Sequence, residues 1–188
     1  MKLPNAILRE IDYRTELPRF LNDHGLTGVG VEVGVYTGTF SKTILETWKG
    51  KQLIGVDPYI KFTKEEYFDS TQDSNQESIY AQALAVYVPY GARANLVRLK
   101  SLDAAPGIQD GSLDFVFCDG NHSFESATAD IAAWYPKVKS GGLFSGHDMY
   151  TRLKDTNSDA ANAVFDFAES IDTRPHLTYC NSWWFIKP

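Results

Sequence analysis

The stretch VEVGVYTG, residues 31–38, combines an apolar run of strand length with two glycines, Gly34 and Gly38. A turn built on glycine lets a ligand approach the main chain closely, because glycine has no side chain. Tyr36 occupies the position at which the G-x-G-x-x-G pattern of nicotinamide and flavin sites has its second glycine. The stretch therefore predicts a strand that turns into a helix beside a ligand other than a dinucleotide pyrophosphate.

Apolar runs of strand length alternate with segments of helical period through the rest of the chain. The predicted strands are 30–33, 52–57, 95–99, 113–119 and 142–146, with closing strands within 179–186. The predicted helices are 17–25, 38–48, 77–87 and 123–135. This alternation is typical of an α/β protein in which helices cover both faces of a parallel sheet. No repeat or linker interrupts it, and we expect a single domain over residues 1–188.

The composition limits the classes of partner. A net charge of −6 without any cluster of Lys or Arg argues against nucleic acid. The sequence contains neither a signal-peptide pattern nor an apolar run of about 18 residues, so we expect a cytoplasmic protein without a membrane partner. The remaining partner class is a small-molecule substrate. Composition leaves open whether copies of the chain assemble into a homo-oligomer.

An acidic residue ends the second predicted strand. Asp57 follows Gly38 by 19 residues, a position from which a carboxylate can accept hydrogen bonds from both hydroxyls of a ribose. The alternative interpretation of this aspartate is a solvated strand end. The third strand leads to Ser101, which would lie beside an adenine ring. Together with the glycine turn, these residues predict an adenosine-containing ligand.

Acidic and histidine residues follow the next two strands. Asp119 and His122 come after the fourth strand, and His147 and Asp148 come after the fifth. Ligands bind at the carboxyl ends of parallel strands, and two carboxylates there can share a Mg²⁺ ion. A metal would lower the pKa of a substrate hydroxyl, and either histidine could remove its proton. The alternatives are helix capping or turn formation for the aspartates and a structural role for the histidines.

The segment 59–77 is polar, contains aromatic residues and shows no periodicity. A loop of this length in a compact domain is more often functional than idle. We therefore expect it to form a lid over the substrate.

The motifs together resemble the class I S-adenosylmethionine-dependent methyltransferases, and within them the group that includes macrocin-type sugar O-methyltransferases. The resemblance lies within residues 28–150 and is carried by EVGVYTG (32–38), GVDP (55–58), DGNHS (119–123) and GGLFSGHD (141–148). It implies a three-layer Rossmann-like methyltransferase fold. The sheet of that fold has seven mostly parallel strands, of which the last is antiparallel.

The resemblance also implies roles for individual residues. The S-adenosylmethionine site would include Glu32, Gly34, Tyr36, Gly38, Asp57, Ser101 and Asp119. Asp119 and Asp148 would bind Mg²⁺, with His122 and His147 as catalytic residues. The implied reaction is O-methylation of a small hydroxylated molecule such as a sugar or phenol.

The sequence departs from the pattern at two positions. Catechol-type relatives usually have an Asp-Asn pair where this chain has His147 and Asp148, and Ser101 replaces an acidic residue that is common on the adenine side. Two alternatives therefore stay open. One is a metal-free N- or O-methyltransferase, and the other is a non-catalytic domain that binds the donor or serves as a scaffold.

Overall fold

A computed structural model of the chain describes residues 11–63, 75–149 and 160–188. The strands in these residues are β1 (Val29–Val33), β2 (Gln52–Val56), β3 (Ala94–Val97), β4 (Leu113–Cys118), β5 (Val138–Gly146), β6 (His176–Leu177) and β7 (Trp183–Ile186). The α-helices are α1 (Leu17–Asp23), α2 (Thr39–Thr47), α3 (Gln76–Tyr87), α4 (Ser101–Ala104), α5 (Phe124–Trp134) and α6 (Ala160–Ser170).

The strands form one sheet in the order β3-β2-β1-β4-β5-β7-β6. Strands β1 to β5 pair in parallel, whereas β7 is antiparallel to both β5 and β6. This topology confirms the predicted α/β class, the seven-stranded Rossmann-like sheet and its antiparallel last strand. Because the chain reverses its direction along the sheet between β3 and β4, the carboxyl ends of β1 and β4 lie at the switch point where such folds bind ligands.

Apolar cores lie on the two faces of the sheet. Trp48 and Phe115 meet edge to face in the core under α1, α2 and α3, with ring centroids 4.9 Å apart. Trp134 and Phe144 belong to the opposite core, under α5 and α6. Side chains alternate between faces along a strand, so Glu32 projects toward α2 while its neighbours in β1 enter the opposite core. The molecule therefore has three layers.

The elements agree with the sequence pattern except near the C-terminus. Of the closing strands predicted within 179–186, the structure has only β7 there. Residues 179–182 connect it to β6, which lies before the predicted range. Helix α3 begins at Gln76, where the side chain of Asn75 accepts hydrogen bonds from two helical N–H groups. Most of the predicted lid, residues 64–74, lies outside the described residues. None of the helices that the structure describes is long and apolar enough to cross a membrane.

Candidate active site

A cavity of about 930 Å³ opens at the carboxyl ends of the central strands. Its lining contains six of the seven predicted donor-site residues, namely Glu32, Gly34, Tyr36, Asp57, Ser101 and Asp119, together with His122. A smaller adjoining cavity is lined by Asp119, His122, His147 and Asp148. The volume of the larger cavity suits a small-molecule or cofactor site. The structure thus brings the predicted donor-binding and metal-binding residues together along one edge of the sheet.

The glycine turn is held by the neighbouring strand end. Gly34 has a φ of 84°, and a Cβ atom there would lie 1.9 Å from the main-chain oxygen of Asp119. The glycine is therefore required by the close approach of β1 and β4. Gly38 (φ 81°) precedes the first residue of α2, and Tyr36 adopts a φ of 52° with 54% of its surface exposed. Such a backbone is uncommon in a non-glycine residue and is enriched at binding sites.

Asp57 organises this turn. Its Oδ2 atom accepts hydrogen bonds from the N–H groups of Val35 (3.0 Å) and Tyr36 (2.9 Å), and Oδ1 accepts one from Tyr59 (2.9 Å). Burial raises the pKa of Asp57, and these three bonds oppose the rise. Two carboxylate oxygens offer about four acceptor positions in total, so one stays available on Oδ1. A ribose can take that one position without disturbing the turn, whereas the sequence had suggested bonds to both hydroxyls.

Glu32 forms the buried floor of the cavity. Its side chain is 2% exposed and accepts a hydrogen bond from the Ser41 hydroxyl, which in turn accepts one from Tyr87 at 3.0 Å. Burial raises the pKa of Glu32 to about 8, and the negative charge of Asp119 adds to this effect. At neutral pH the floor therefore carries a protonated carboxyl group. A cationic ligand in the cavity would favour its ionised form.

Two histidines bracket Asp148. Its Oδ2 atom is 2.9 Å from His122 Nε2, and its Oδ1 atom is 3.2 Å from His147 Nδ1. Asp119 Oδ1 lies 3.8 Å from His122 Nε2 and 3.7 Å from His147 Nδ1. Burial alone would raise the pKa of Asp148, but the hydrogen bonds from both histidines hold it well below its usual range. The bond to Asp148 raises the pKa of His147 against the effect of burial. The result is an ionised aspartate between two imidazoles.

Three of these residues lie close enough together to hold a metal ion. Ligand atoms of Asp119, His122 and Asp148 all lie within 4.8 Å of one another. Two carboxylates suit Mg²⁺, whereas an imidazole ligand favours ions such as zinc or iron. The donor set thus fits a divalent cation. His122, which the sequence analysis treated as a base, lies where it can also act as a ligand.

Two charged residues that line the cavity, Arg14 and Asp130, were not among the predicted site residues. Arg14, in a 3₁₀ turn before α1, places Nη1 3.4 Å from Asp119 Oδ2 and its guanidinium 5.3 Å from the Phe40 ring centroid. Asp130 lines the cavity from α5. The sequence around Arg14 has no motif that could have revealed it. Asp130 did leave a signal, since it lies three residues after Ala127 and four before Trp134 on the apolar face of α5.

A protein-family model described as "methyltransferase domain" matches residues 31–149, a segment that runs from β1 through the glycine turn to the end of the Asp-His cluster. The chain belongs to this methyltransferase family. The match confirms that the sequence is a class I S-adenosylmethionine methyltransferase at the level of the family. The match does not confirm the narrower resemblance to the macrocin-type sugar group.

Individual relatives have low sequence identity to this chain or match only part of it. Residues of this chain are 30% identical to protein y4gI of Sinorhizobium fredii over 76 positions, which are 40% of this chain and 8% of that protein. The structure of the O-methyltransferase NovP is 14% identical, with a TM-score of 0.64 over 93% of this chain and 77% of NovP. TomG of Streptomyces achromogenes, an O-methyltransferase solved with S-adenosylmethionine, is 11% identical, with a TM-score of 0.62 over 93% of this chain and 79% of TomG. At these identities the two structures show a shared fold.

Proposed function

We propose that this chain is an S-adenosylmethionine-dependent O-methyltransferase that acts on a small hydroxylated molecule, such as a sugar or phenol, with the help of a divalent cation. The main observation that supports this proposal is that the cluster of Asp119, His122 and Asp148 adjoins the cavity formed at the glycine turn. Asp119 lines both cavities, so an acceptor oxygen held at this cluster would lie beside a donor in the larger cavity.

The donor supplies a methyl group on a positively charged sulfur. Glu32, at the cavity floor, would pair with the ammonium of its methionine part, and the free position on Asp57 Oδ1 would accept a ribose hydroxyl. Tyr36 is exposed at the rim, where its ring can flank a cation. Most of the rate enhancement in such a transfer comes from alignment of the nucleophile and exclusion of water.

The Asp-His cluster would prepare the acceptor. A cation held by Asp119 and Asp148 would lower the pKa of an acceptor hydroxyl and fix its oxygen. His122 and His147 both contact Asp148, and either can take the proton. Asp148 would stabilise the resulting imidazolium because it is ionised and within hydrogen-bond distance of both rings.

Arg14 favours a second candidate function, a metal-free N- or O-methyltransferase. Its guanidinium lies 3.4 Å from Asp119, and Asp148 has both histidines as partners. Both aspartates thus have side-chain partners without a metal ion. In this alternative a histidine acts as the base, and the aspartates orient it.

The experiment that separates these functions measures transfer of labelled methyl from S-adenosylmethionine to a panel of hydroxylated metabolites. We expect activity that is lost in excess EDTA and restored by Mg²⁺, Mn²⁺ or Zn²⁺. Full activity in EDTA would establish the metal-free alternative. Donor binding without transfer to any acceptor, with every metal supplied, would favour the non-catalytic domain.

Asp57 provides a separate test of donor placement. We expect Asp57→Ala to weaken binding of S-adenosylhomocysteine by about 1–3 kcal/mol, because one bond to the ligand and three within the turn are lost. Isothermal titration calorimetry measures this change. Asp166→Ala, an exposed position on α6, is the matched control and should bind as the wild type does. Unchanged affinity in the Asp57 variant would contradict the placement of the donor.

A further inference from the structure

One ring nitrogen of His147 is bonded to the main chain. Its Nε2 atom lies 3.1 Å from the carbonyl oxygen of Cys180. A carbonyl oxygen can only accept a hydrogen bond, so Nε2 carries the hydrogen of this pair. The other ring nitrogen, Nδ1, faces Asp148 Oδ1 at 3.2 Å and Asp119 Oδ1 at 3.7 Å. The contact with Cys180 therefore fixes which nitrogen of His147 is directed at the two aspartates.

The contacts of Nδ1 require a positive group between it and the carboxylates. In a neutral ring with its hydrogen on Nε2, Nδ1 has a lone pair and no hydrogen, and ionised carboxylates likewise have only lone pairs to offer. A proton on Nδ1 satisfies this requirement in the protein without metal, but one proton is directed at one oxygen. A metal ion in the same place would use Nδ1 and both oxygens as ligands at once.

The separations between these atoms fit ligands of a single small ion. Two ligands bound tetrahedrally at about 2.1 Å from an ion lie about 3.4 Å from each other. The distances of 3.2 and 3.7 Å from His147 Nδ1 to the two carboxylate oxygens lie on either side of that value. Asp119 and Asp148 also have ligand atoms within 4.8 Å of each other. Only small side-chain shifts would be needed to bring the three residues around an ion.

The turn between β6 and β7 orients this group. The main-chain N–H of Arg14 donates to Cys180 Sγ at 3.0 Å, which ties the turn to the segment before α1. Asn181 Nδ2, in the same turn, lies 3.5 Å from Asp148 Oδ1. Histidines that bind metals usually donate their second N–H to a carbonyl, a carboxylate or water, and this bond fixes the ring. The Cys180 carbonyl stands in that relation to His147.

We propose that His147, through Nδ1, joins Asp119 and Asp148 in binding a first-row transition-metal ion such as Zn²⁺ or Fe²⁺ in preference to Mg²⁺. The inference rests on the metal-assisted function proposed above and specifies the class of the ion. Imidazole suits transition metals, whereas Mg²⁺ prefers oxygen ligands and retains water. Both nitrogens of His147 are then occupied, which leaves His122 as the base.

The test measures the affinities of the full chain, freed of metal with EDTA, for Co²⁺ and Mg²⁺ by calorimetry. The wild type should bind Co²⁺ at least about 100-fold more tightly, since Mg²⁺ gains little from a nitrogen ligand. In His147→Ala the Co²⁺ affinity should fall by more than the roughly 10–100-fold that loss of a partner behind a ligand costs. The Mg²⁺ affinity should change much less. Equal weakening of both ions would indicate a structural role and overturn the inference.

His147→Asp keeps the test decisive if the alanine variant fails to fold. Its carboxylate would complete a site made of oxygen ligands alone. This variant should bind Mg²⁺ more tightly than the wild type does and should show a smaller preference for Co²⁺. A folded His147→Asp variant with the wild-type preference would contradict the assignment of His147 as a ligand.

Proton NMR of the Co²⁺-loaded chain identifies the ligand without any measurement of activity. The Nε2–H of a coordinated His147 should give a paramagnetically shifted signal that exchanges slowly, because the Cys180 carbonyl accepts its hydrogen bond. The signal should be absent from His147→Ala. It should persist in His24→Ala, the control, which removes an exposed histidine outside both cavities. A signal that is lost in His122→Ala and kept in His147→Ala would overturn the inference.

The outcomes also separate this inference from the proposed function. A wild-type chain that binds neither ion would overturn both the inference and the metal-assisted reaction. Binding of Mg²⁺ as tight as that of Co²⁺, unaffected by His147→Ala, would overturn the inference alone and leave metal-assisted transfer in place.

Discussion

Asp148→Asn should lose most methyl transfer and keep the affinity for the donor nearly unchanged. Asp148 lines only the smaller cavity, whereas the proposed donor site lies in the larger one. A neutral amide can neither balance a divalent cation nor stabilise an imidazolium on His122 or His147. We expect turnover to fall by at least the 10²–10⁴-fold that a positioned general base contributes. Steady-state kinetics with saturating metal and calorimetry with S-adenosylhomocysteine give the two readouts.

Asp119→Asn should also lose most turnover, but Asp119 lines both cavities and is a less selective probe. Asp172→Asn changes a carboxylate outside both cavities and serves as the control that should retain full activity. An Asp148→Asn variant with wild-type turnover in the presence of EDTA would rule out the metal-assisted mechanism. The same result would also contradict the metal-free alternative, because that alternative requires Asp148 as the partner of the imidazolium.

His122→Ala distinguishes a ligand from a base. If His122 acts as the base, turnover should fall by about 10²–10⁴-fold while the affinity for Mn²⁺ stays the same. If it acts as a ligand, the affinity for Mn²⁺ should fall as well, because its Nε2 lies 2.9 Å from Asp148 and shares the cluster with Asp119. Electron paramagnetic resonance of free Mn²⁺ measures that affinity directly. If His122 proves to be a metal ligand, His147 would be the base.

Much of the fold could be predicted because its signals are local. The buried runs of β1, β2 and β4 are mostly apolar. Gly34 after β1 and an aspartate after each of the other two, Asp57 and Asp119, mark the carboxyl ends of the strands. Strand β6 gave no such signal, since it has two exposed residues, His176 and Leu177. A pattern of burial cannot reveal a strand that is not buried.

The contacts within the site depend on residues that are distant in sequence. Arg14 and Asp119 are separated by 105 positions, and Ser101 and Asp130 by 29. The sequence placed Asp57 at a strand end, but it could not show that three N–H groups already occupy its carboxylate, because that depends on the path of the turn. Residue type and strand position were predictable, whereas side-chain partners required the tertiary structure.

Glu32→Gln should stabilise the protein without donor and weaken donor binding. The pKa of Glu32 is about 8 in the folded chain against 4.5 for an ordinary glutamate. Between these values the unfolded chain releases the proton and the native protein keeps it, so the free energy of unfolding of the wild type falls as pH rises. Glutamine cannot ionise, so the variant lacks this loss. Its advantage should grow from near zero below pH 4.5 to about 3–5 kcal/mol above pH 8.

Urea denaturation at a series of pH values measures this difference. Glu46→Gln, an exposed position on α2 whose side chain is 55% accessible, is the control and should show no comparable trend. Equal pH dependence in the wild type and the Glu32 variant would show that Glu32 is ionised in the folded chain at neutral pH.

Although Glu32→Gln should stabilise the empty protein, it should weaken donor binding. The ammonium of S-adenosylhomocysteine would favour the ionised form of Glu32, so the wild type should release close to one proton on binding at pH 7. Calorimetry in two buffers of different ionisation enthalpy measures that proton. In Glu32→Gln the release should disappear and the affinity should fall by about 10–100-fold, the scale of a hydrogen bond to a charged group. Binding without proton release and with unchanged affinity in the variant would show that the methionine part of the donor lies elsewhere. If both effects are found, the buried carboxyl lowers the stability of the empty protein and selects a cationic ligand.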